Sequence, residues 1–366
     1  MAIILWIVIV LVAMYQLQRL AYRYYGMRSV AYDRSFSSSR VFAGETVWLS
    51  EKIANRKRLP LPWLRVETLM PAQLVFKQQE ADTSINRGDQ LQNHASLFSI
   101  PSYTEIVRKH EVLCPQRGCY AVSSYTISMG DMIGWQVKSE ARTPATSELV
   151  VYPKLMALND LPLSARRYVY SVRSMLSPIR EDHYHVAGVR PYRDGDSFRL
   201  VNWSATAKTG ELLVHRRESM CDNDLTLLVN AEMLDHSNNR RLTKEQFERA
   251  LSYAASAAQY LIAGGGKAGI IYNGAVSGHA DPVFRLPVKG GAAHLEVMLE
   301  AMARFEPATK LGMNYLLERL VAERSRGMNV LFVTGFIDAA QEALVKQLRQ
   351  NGNAVEVLLL YKEAAS

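Results

Sequence analysis

The longest uninterrupted apolar run opens the chain. Residues 1–14 read MAIILWIVIVLVAM without a charge or a helix breaker, and residues 15–20 add only Gln16, Gln18 and Arg19 as polar members. The run is apolar on every face, whereas a helix packed on a soluble core carries one apolar stripe. About 17–20 apolar residues rising 1.5 Å each cover a hydrocarbon layer of about 30 Å, so residues 1–20 are expected to form a transmembrane anchor. A cleavable signal would put basic residues before the run and small residues after it, and neither feature occurs.

Beyond the anchor the pattern shifts to alternation. Residues 41–53 (VFAGETVWLSEKI) and 64–69 (LRVETL) alternate apolar and polar positions as strands do. Between them Leu59-Pro-Leu-Pro-Trp63 blocks a helix and suits a connection or an edge. Residues 73–94 are polar and read as an insertion or a mobile loop. Strands are expected again at 104–113, 118–127 and 137–141, with turn-rich segments between them. Short strands at this spacing predict a β-sandwich-like domain over 41–155.

The last third alternates at a longer period. Residues 225–230 (LTLLVN) form a continuous apolar run, suited to a strand buried on both faces. Residues 243–263 carry helical periodicity, with Thr243 as N-cap and Gly264-Gly-Gly266 as the stop. Strands follow at 268–272, 329–334 and 354–360, and helices at 292–305, 314–326 and 339–350. This order predicts a mostly parallel sheet flanked by helices, whose sites form at the C-terminal strand ends. Those ends carry Asn230-Ala-Glu-Met233 and Thr334-Gly-Phe-Ile-Asp338.

Composition adds two constraints. The 366 residues give 48% hydrophobic and 21% charged positions, which excludes a disordered protein. Three cysteines are too few for a disulfide scaffold, and reduced thiols fit a cytoplasmic body. The net charge of +8 is concentrated in two segments. Residues 17–40 hold Arg19, Arg23, Arg28, Arg34 and Arg40 against Asp33. By the positive-inside rule this flank puts residues from about 20 onward in the cytoplasm, with the arginines and Tyr22, Tyr24 and Tyr25 near lipid. The second segment, 164–217, interleaves arginines with carboxylates and contains no known nucleic-acid module, so nucleic-acid binding is not expected.

Enzyme signatures fail on inspection. Gly264-Gly-Gly-Lys267 lacks the first glycine of a phosphate loop, where Leu261 stands, and the Ser or Thr after the lysine, where Ala268 stands. Asp194-Gly-Asp196 lacks the glutamate of a calcium loop, where Ala205 stands. His183 and His185 share a face only if their segment is extended, and a metal would need a third ligand such as His215. The dense segment is 189–218. There Arg190, Tyr192, Asp196, Arg199, Asn202 and Trp203 suit a fixed hydrogen-bonded network, with Asp196 placed to cap a short helix carrying Arg199, Asn202 and Trp203.

The pattern R-x-Y-x-x-G-D-x-x-R-x-x-N-W, here Arg190, Tyr192, Gly195, Asp196, Arg199, Asn202 and Trp203, resembles the signature of the family called domain of unknown function 58 (DUF 58). Leu59-Pro-Leu-Pro-Trp63, Arg117-Gly118 with Tyr120, and Asp131 with Gly134 extend the resemblance over nearly the whole chain. It implies a membrane-anchored protein with a β-rich region and a C-terminal von Willebrand factor A-like domain of Rossmann type. Relatives are commonly encoded beside MoxR-type AAA+ ATPases and transglutaminase-like membrane proteins, which implies a role in complex assembly. Two membrane spans are usual in relatives, and one is visible here. Von Willebrand A domains often hold Mg²⁺ through D-x-S-x-S and a later Thr and Asp. Here Asn230, Glu232 and Leu234 take the first three positions, with Thr334 and Asp338 later. Losing the first carboxylate and both hydroxyls removes most hard oxygen ligands, so Asn230, Glu232, Thr334 and Asp338 form at most a degenerate metal site.

The expected organisation is therefore α+β and multidomain. It comprises an anchor (1–20), a basic juxtamembrane segment (21–40), a β-sandwich-like domain (41–155), a connector bearing the motif (156–218) and a von Willebrand A-like α/β domain (219–366). The expected function is a single-pass, non-enzymatic adaptor in the cell membrane, without a resident cofactor. Its expected partners are a MoxR-type ATPase, a transglutaminase-like membrane protein and membrane lipid. A metal-dependent protein-binding module and a hydrolase or transferase are the alternatives.

Overall fold

The computed structural model describes residues 2–77, 83–122, 124–130, 137–143, 147–174, 189–192, 201–215, 224–235, 240–323 and 326–360. The chain forms two compact units. The first comprises Met1–Lys154 with Leu299–Arg304, and the second comprises Leu155–Met298 with Phe305–Ser366.

The first unit begins with a 24-residue helix, α1 (Ala2–Tyr25). Over Ile3–Tyr25 it is long and apolar enough to cross a membrane, and its apolar window is wholly exposed. Its end is not a loose tether. Tyr22 and Met27 join Val30, Tyr32 and Ile53 in a hydrophobic core, and the Tyr22 hydroxyl donates to the Pro60 carbonyl at 3.0 Å. Lys57 ties down the turn that follows α1 by donating to the carbonyls of Gly26 and of Arg28 (2.8 Å for the latter).

Twelve strands follow in the first unit. They are β1 (Val30–Phe36), β2 (Arg40–Phe42), β3 (Thr46–Asn55), β4 (Leu61–Pro71), β5 (Val75–Phe76) and β6 (Thr83–Arg87). Then come β7 (Leu91–Ile100), β8 (Glu105–Leu113), β9 (Gly118–Val122), β10 (Tyr125–Gly130), β11 (Val137–Arg142) and β12 (Ser147–Tyr152). They pair into sheets of order β1-β3-β8-β5, β11-β10-β4-β7-β6 and β2-β12-β9. Inward residues of the first two sheets share one core: Val30, Tyr32 and Ile53 meet Leu64, Val66, Phe98, Ile100 and Ile127. A second core joins Val47, Leu49 and Val112 to Met70, Tyr120, Leu149 and Val151.

Three details differ from the sequence expectation. Residues 73–94, expected as a loop, contain β5, β6 and the start of β7. Their polarity misleads because Gln92 and His94 point inward: the Gln92 amide donates to the carbonyls of Pro71 (3.1 Å) and Leu74 (2.6 Å). The run 41–53 breaks into β2 and β3 at Gly44, whose φ of 96° suits glycine. Leu59-Pro-Leu-Pro-Trp63 leads into β4, whose register against β7 shifts between Leu61 and Leu64, where Pro62 has no N–H to give.

The second unit opens with α2 (Leu163–Ser174), β13 (Val189–Pro191), α3 (Trp203–Thr209) and β14 (Leu213–His215). There follow β15 (Asp224–Val229), β16 (Leu234–Asp235), β17 (Arg240–Arg241), α4 (Lys244–Ala263), β18 (Lys267–Tyr272) and β19 (Gly274–Val276). The remainder is β20 (Phe284–Lys289), α5 (Ala292–Ala303, of which residues 299–303 belong to the first unit), β21 (Phe305–Thr309), α6 (Met313–Ala322), β22 (Asn329–Thr334), α7 (Ala339–Gln350) and β23 (Ala354–Leu359). The main sheet runs β20-β18-β15-β22-β23, parallel except for the edge strand β20. Alternation along the strands divides its two faces. Leu228, Ile271, Val330 and Phe332 pack with Met313, Leu316 and Leu320 of α6 and Val345 and Leu348 of α7. The opposite face meets α4, where Phe247 lies 6.3 Å from the Tyr272 ring. Phe305, expected at the end of a helix, instead starts β21, which pairs with β19.

Candidate functional site

The adjacent parallel strands β15 and β22 end side by side, so Asn230 and Thr334 emerge together. The Asn230 amide donates to Thr334 Oγ1 at 3.0 Å and to Glu232 Oε2 at 3.3 Å. Its Oδ1 is filled by the backbone N–H of Glu232 (2.9 Å) and by the Asn273 amide (3.2 Å). Asn273, fully buried, also donates to the Leu311 carbonyl at 2.9 Å and accepts from the Ala231 N–H at 2.7 Å. Glu232 Oε1 accepts from the Met313 N–H at 2.7 Å, so its carboxylate caps α6, whose own N-cap is Gly312 with no side chain to offer. Gln341 reaches the other oxygen of Glu232 at 3.4 Å. Close approach also constrains the turn after β22, because a Cβ on Gly335 would stand 1.9 Å from the Leu242 side chain.

Of the four residues expected at a degenerate metal site, the structure links three and uses the fourth elsewhere. Asn230, Glu232 and Thr334 form one network, while Asp338 caps α7 by accepting from the Gln341 N–H at 2.7 Å. The network does not fit Mg²⁺. A hard divalent ion needs about six oxygen ligands. Here the Asn230 oxygen already accepts two hydrogen bonds, and its N–H₂ group faces Glu232 and Thr334, the oxygens an ion would need. Thr334 Oγ1 in turn donates to the Phe336 carbonyl at 2.6 Å. The amide serves as the positive partner of these oxygens, and the strand ends, α6 and α7 are tied together without an ion.

The connector motif is split between a hairpin and a helix cap. Arg190 lies in β13, which pairs antiparallel with β14, and the Tyr192 N–H donates to the Leu212 carbonyl at 2.8 Å. Asn202 is not on the short helix, as the sequence led one to expect; it is its N-cap, accepting from the Ala205 N–H at 3.0 Å. The hydroxyl of Thr206 returns to the Leu213 N–H at 3.0 Å, and Gly210 closes α3 with φ of 76°. Trp203, the first helical residue, is 65% exposed. Gly195, Asp196 and Arg199 lie outside the described residues, as do Asp131, Gly134, His183, His185 and Cys221.

A polar cluster that the sequence reading missed sits between β1, β3, β7 and β8. Glu51 is fully buried and accepts from the Tyr32 hydroxyl (2.8 Å), the Ser96 hydroxyl (2.8 Å), His110 Nε2 (3.1 Å) and the Arg34 guanidinium. His94 Nδ1 lies 3.3 Å from Arg34, and Phe76 stacks on its ring at 4.7 Å. Burial alone would raise the Glu51 carboxyl, but the His110 hydrogen bond and the Arg34 charge hold it far below the usual carboxylate range. Burial pushes the His94 imidazole down to about 4, although Glu51 pulls the other way. Arg34, assigned from sequence to a lipid-facing flank, is thus an interior residue with a side-chain exposure of 6%. The available signal was positional. Arg34 and Glu51 are cross-strand partners, and both alternate in phase with core residues.

The two described thiols do not resemble nucleophiles. Burial pushes Cys114 up to about 11 and also raises Cys119, whereas a reactive cysteine has a depressed value.

Over 345 residues the chain is 24% identical to the Uncharacterized protein YeaD of Bacillus subtilis (strain 168), covering 93% of this chain and 78% of that protein. Among solved structures, it is similar to the non-cellulosomal cohesin from the hyperthermophilic archaeon Archaeoglobus fulgidus, at 11% identity and a TM-score of 0.25. That likeness covers 34% of this chain and 91% of that one. The cohesin module from the Clostridium perfringens ATCC13124 family 33 glycoside hydrolase gives 8% identity and a TM-score of 0.24, over 33% of this chain and 97% of that module. Residues 188–364, which carry both the capped motif and the strand-end network, match the family described as Protein of unknown function DUF58.

Proposed function

We propose that this chain is a DUF58-type, single-pass membrane adaptor whose cytoplasmic body docks a MoxR-type AAA+ ATPase, without catalysing a reaction itself. In this reading the strand-rich part of the first unit is a β-sandwich and the parallel-sheet unit is a von Willebrand A-like domain. A transglutaminase-like membrane protein is the further partner that the family resemblance implies.

One observation carries the docking reading. Trp203 projects into solvent from a helix whose start is pinned by the Asn202 cap, within the segment that matches the family model. Leu212, on the turn leading into β14, is also exposed. A large aromatic held rigidly at the surface loses little entropy on binding and is the residue type most enriched among interface hot spots. The strand-end network supports a binding role over a catalytic one, since Glu232 caps α6 and the side chains of Asn230, Asn273 and Thr334 are engaged in hydrogen bonds among themselves and to nearby backbone.

The test is co-purification of the full chain from membranes with the MoxR-type ATPase, in ATP and in ADP. Trp203→Ala is expected to abolish recovery of the ATPase and leave the melting temperature unchanged, because the ring is exposed. Absence of association in every nucleotide state would overturn the reading.

A further inference from the structure

The first unit holds a recess of about 810 Å³ at the end of α1, lined among others by Tyr22, Arg23, Arg28, Gly130, Lys138 and Arg142. Among the described residues, four basic side chains line it against one carboxylate, Glu140. A helix C-terminus normally repels anions, because its last carbonyls carry partial negative charge. Here the Tyr22 and Tyr25 carbonyls of the last turn accept from the Gly26 (2.9 Å) and Arg28 (3.2 Å) N–H groups, and the carbonyls just beyond α1 are covered by side chains. Lys57 donates to Gly26 and Arg28, while Arg142 donates to Val30 at 3.0 Å and to Met27 at 3.5 Å. Arg142 also pairs with Glu140 at 3.3 Å, which neutralises that carboxylate. The charges of Arg23, Arg28 and Lys138 remain uncompensated, with no ion-pair partner among the described residues.

Position decides what fills such a recess. At 1.5 Å per residue, the 23-residue apolar stretch Ile3–Tyr25 is about 34 Å long, slightly more than a hydrocarbon layer of about 30 Å. Tyr22–Arg28 therefore lie at the depth of the lipid phosphates, where the exposed rings of Tyr24 and Tyr25 also belong. We propose that this recess binds the phosphate headgroup of an anionic phospholipid, with Arg23, Arg28 and Lys138 as its ligands. The proposal rests on the reading of α1 as a membrane span, and goes beyond the adaptor role by assigning a lipid site to the body itself.

The experiment uses the full chain reconstituted into vesicles of phosphatidylcholine alone and of equimolar phosphatidylcholine and phosphatidylglycerol. Native mass spectrometry of the gently extracted protein then reads the retained lipid. Phosphatidylglycerol is expected to be retained in preference to phosphatidylcholine. Retention should fall about fivefold for each cation removed in Arg28→Gln and Lys138→Gln. Lys109→Gln, an exposed change elsewhere in the same unit, should leave it unchanged. Equal retention of both lipids by protein that floats with phosphatidylcholine vesicles would overturn the lipid site and spare the span. Failure to float with either vesicle would overturn the span, and the lipid site with it. If inorganic phosphate binds while phosphatidylglycerol does not, the occupant is a soluble anion and the lipid assignment is overturned.

Discussion

Glu51 can be buried as an anion because Tyr32, Ser96, His110 and Arg34 all donate to it. Removing one partner of a buried ion pair leaves a charge without compensation, at a cost of about 3–5 kcal/mol. Arg34→Met is therefore expected to lower the stability of the first unit by about that amount, read from the denaturant midpoint. The double variant Arg34→Met with Glu51→Gln should recover most of the loss, since it removes both charges together. The same cluster sets an acid dependence. His94, held at about 4, is below its ordinary 6.5, so the folded unit binds this proton less readily than the unfolded chain. Its contribution is complete above pH 6.5 and is lost as pH falls toward 4, by about 3 kcal/mol in all. Glu51 acts in the same direction at lower pH, because a lowered carboxyl stabilises above its unfolded value and loses that contribution on protonation. Hydrogen exchange of the β3 and β8 amides at pH 7 and pH 4.5 should show this loss, and His94→Gln should flatten it. An exchange pattern independent of pH would contradict the proposed protonation.

At the scale of elements, local signals and distant ones were not equally legible. The start of α4 was readable because a capping box is complete within four residues: Thr243 accepts from the Gln246 N–H at 3.2 Å, and the Gln246 side chain returns to the Thr243 N–H at 2.9 Å. Thr243→Ala should cost about 1 kcal/mol in the denaturation of the second unit, and Thr243→Ser should restore it. The strands β22 and β23 and helix α7 were equally readable, since their apolar runs or stripes lie between clear turn residues. The stretch holding β5, β6 and the start of β7 was not. Gln92 and His94 find their partners at Leu74 and around Glu51, and pairing over such separations leaves no periodic trace in a short window. The candidate site shows the same division. The sequence placed Asn230, Glu232 and Thr334 at C-terminal strand ends, but the pairing of those strands, and Asn273 and Gln341 from other elements, became visible only in the structure. Asn202 was recognised as part of a polar network, while its duty as a cap became visible only with the start of α3. Asn202→Ala should therefore lower stability by about 1 kcal/mol, whereas Trp203→Ala should leave stability unchanged and affect association alone.

At the scale of the molecule, the charge pattern and the apolar helix α1 turn out to be coupled. The basic segment 21–40 contains the last turn of α1 and all of β1, so its arginines face different surroundings. Arg23 and Arg28 are exposed near the end of α1, while Arg34 is inside the first unit. A run of like charges in sequence had suggested one lipid-facing flank, but the two-residue period of β1 turns Arg34 inward. The same continuity makes α1 part of the fold of the first unit. Tyr22 is 6% exposed, its ring packed in the core shared by β4, β7 and β10 and its hydroxyl bonded to Pro60. Tyr22→Ala removes a large buried ring and one hydrogen bond, which predicts a destabilisation of the first unit of about 3–5 kcal/mol. On the proposed reading of α1 as a span, membrane insertion should be unaffected, because the apolar run 1–14 is unaltered. Flotation with phosphatidylcholine vesicles should thus match that of the unmodified chain, while hydrogen exchange accelerates in β4 and β10. Loss of both properties would mean that insertion itself depends on the folded unit. Loss of neither would mean that the end of α1 is a passive tether, which its packing against Met129 and Leu61 argues against.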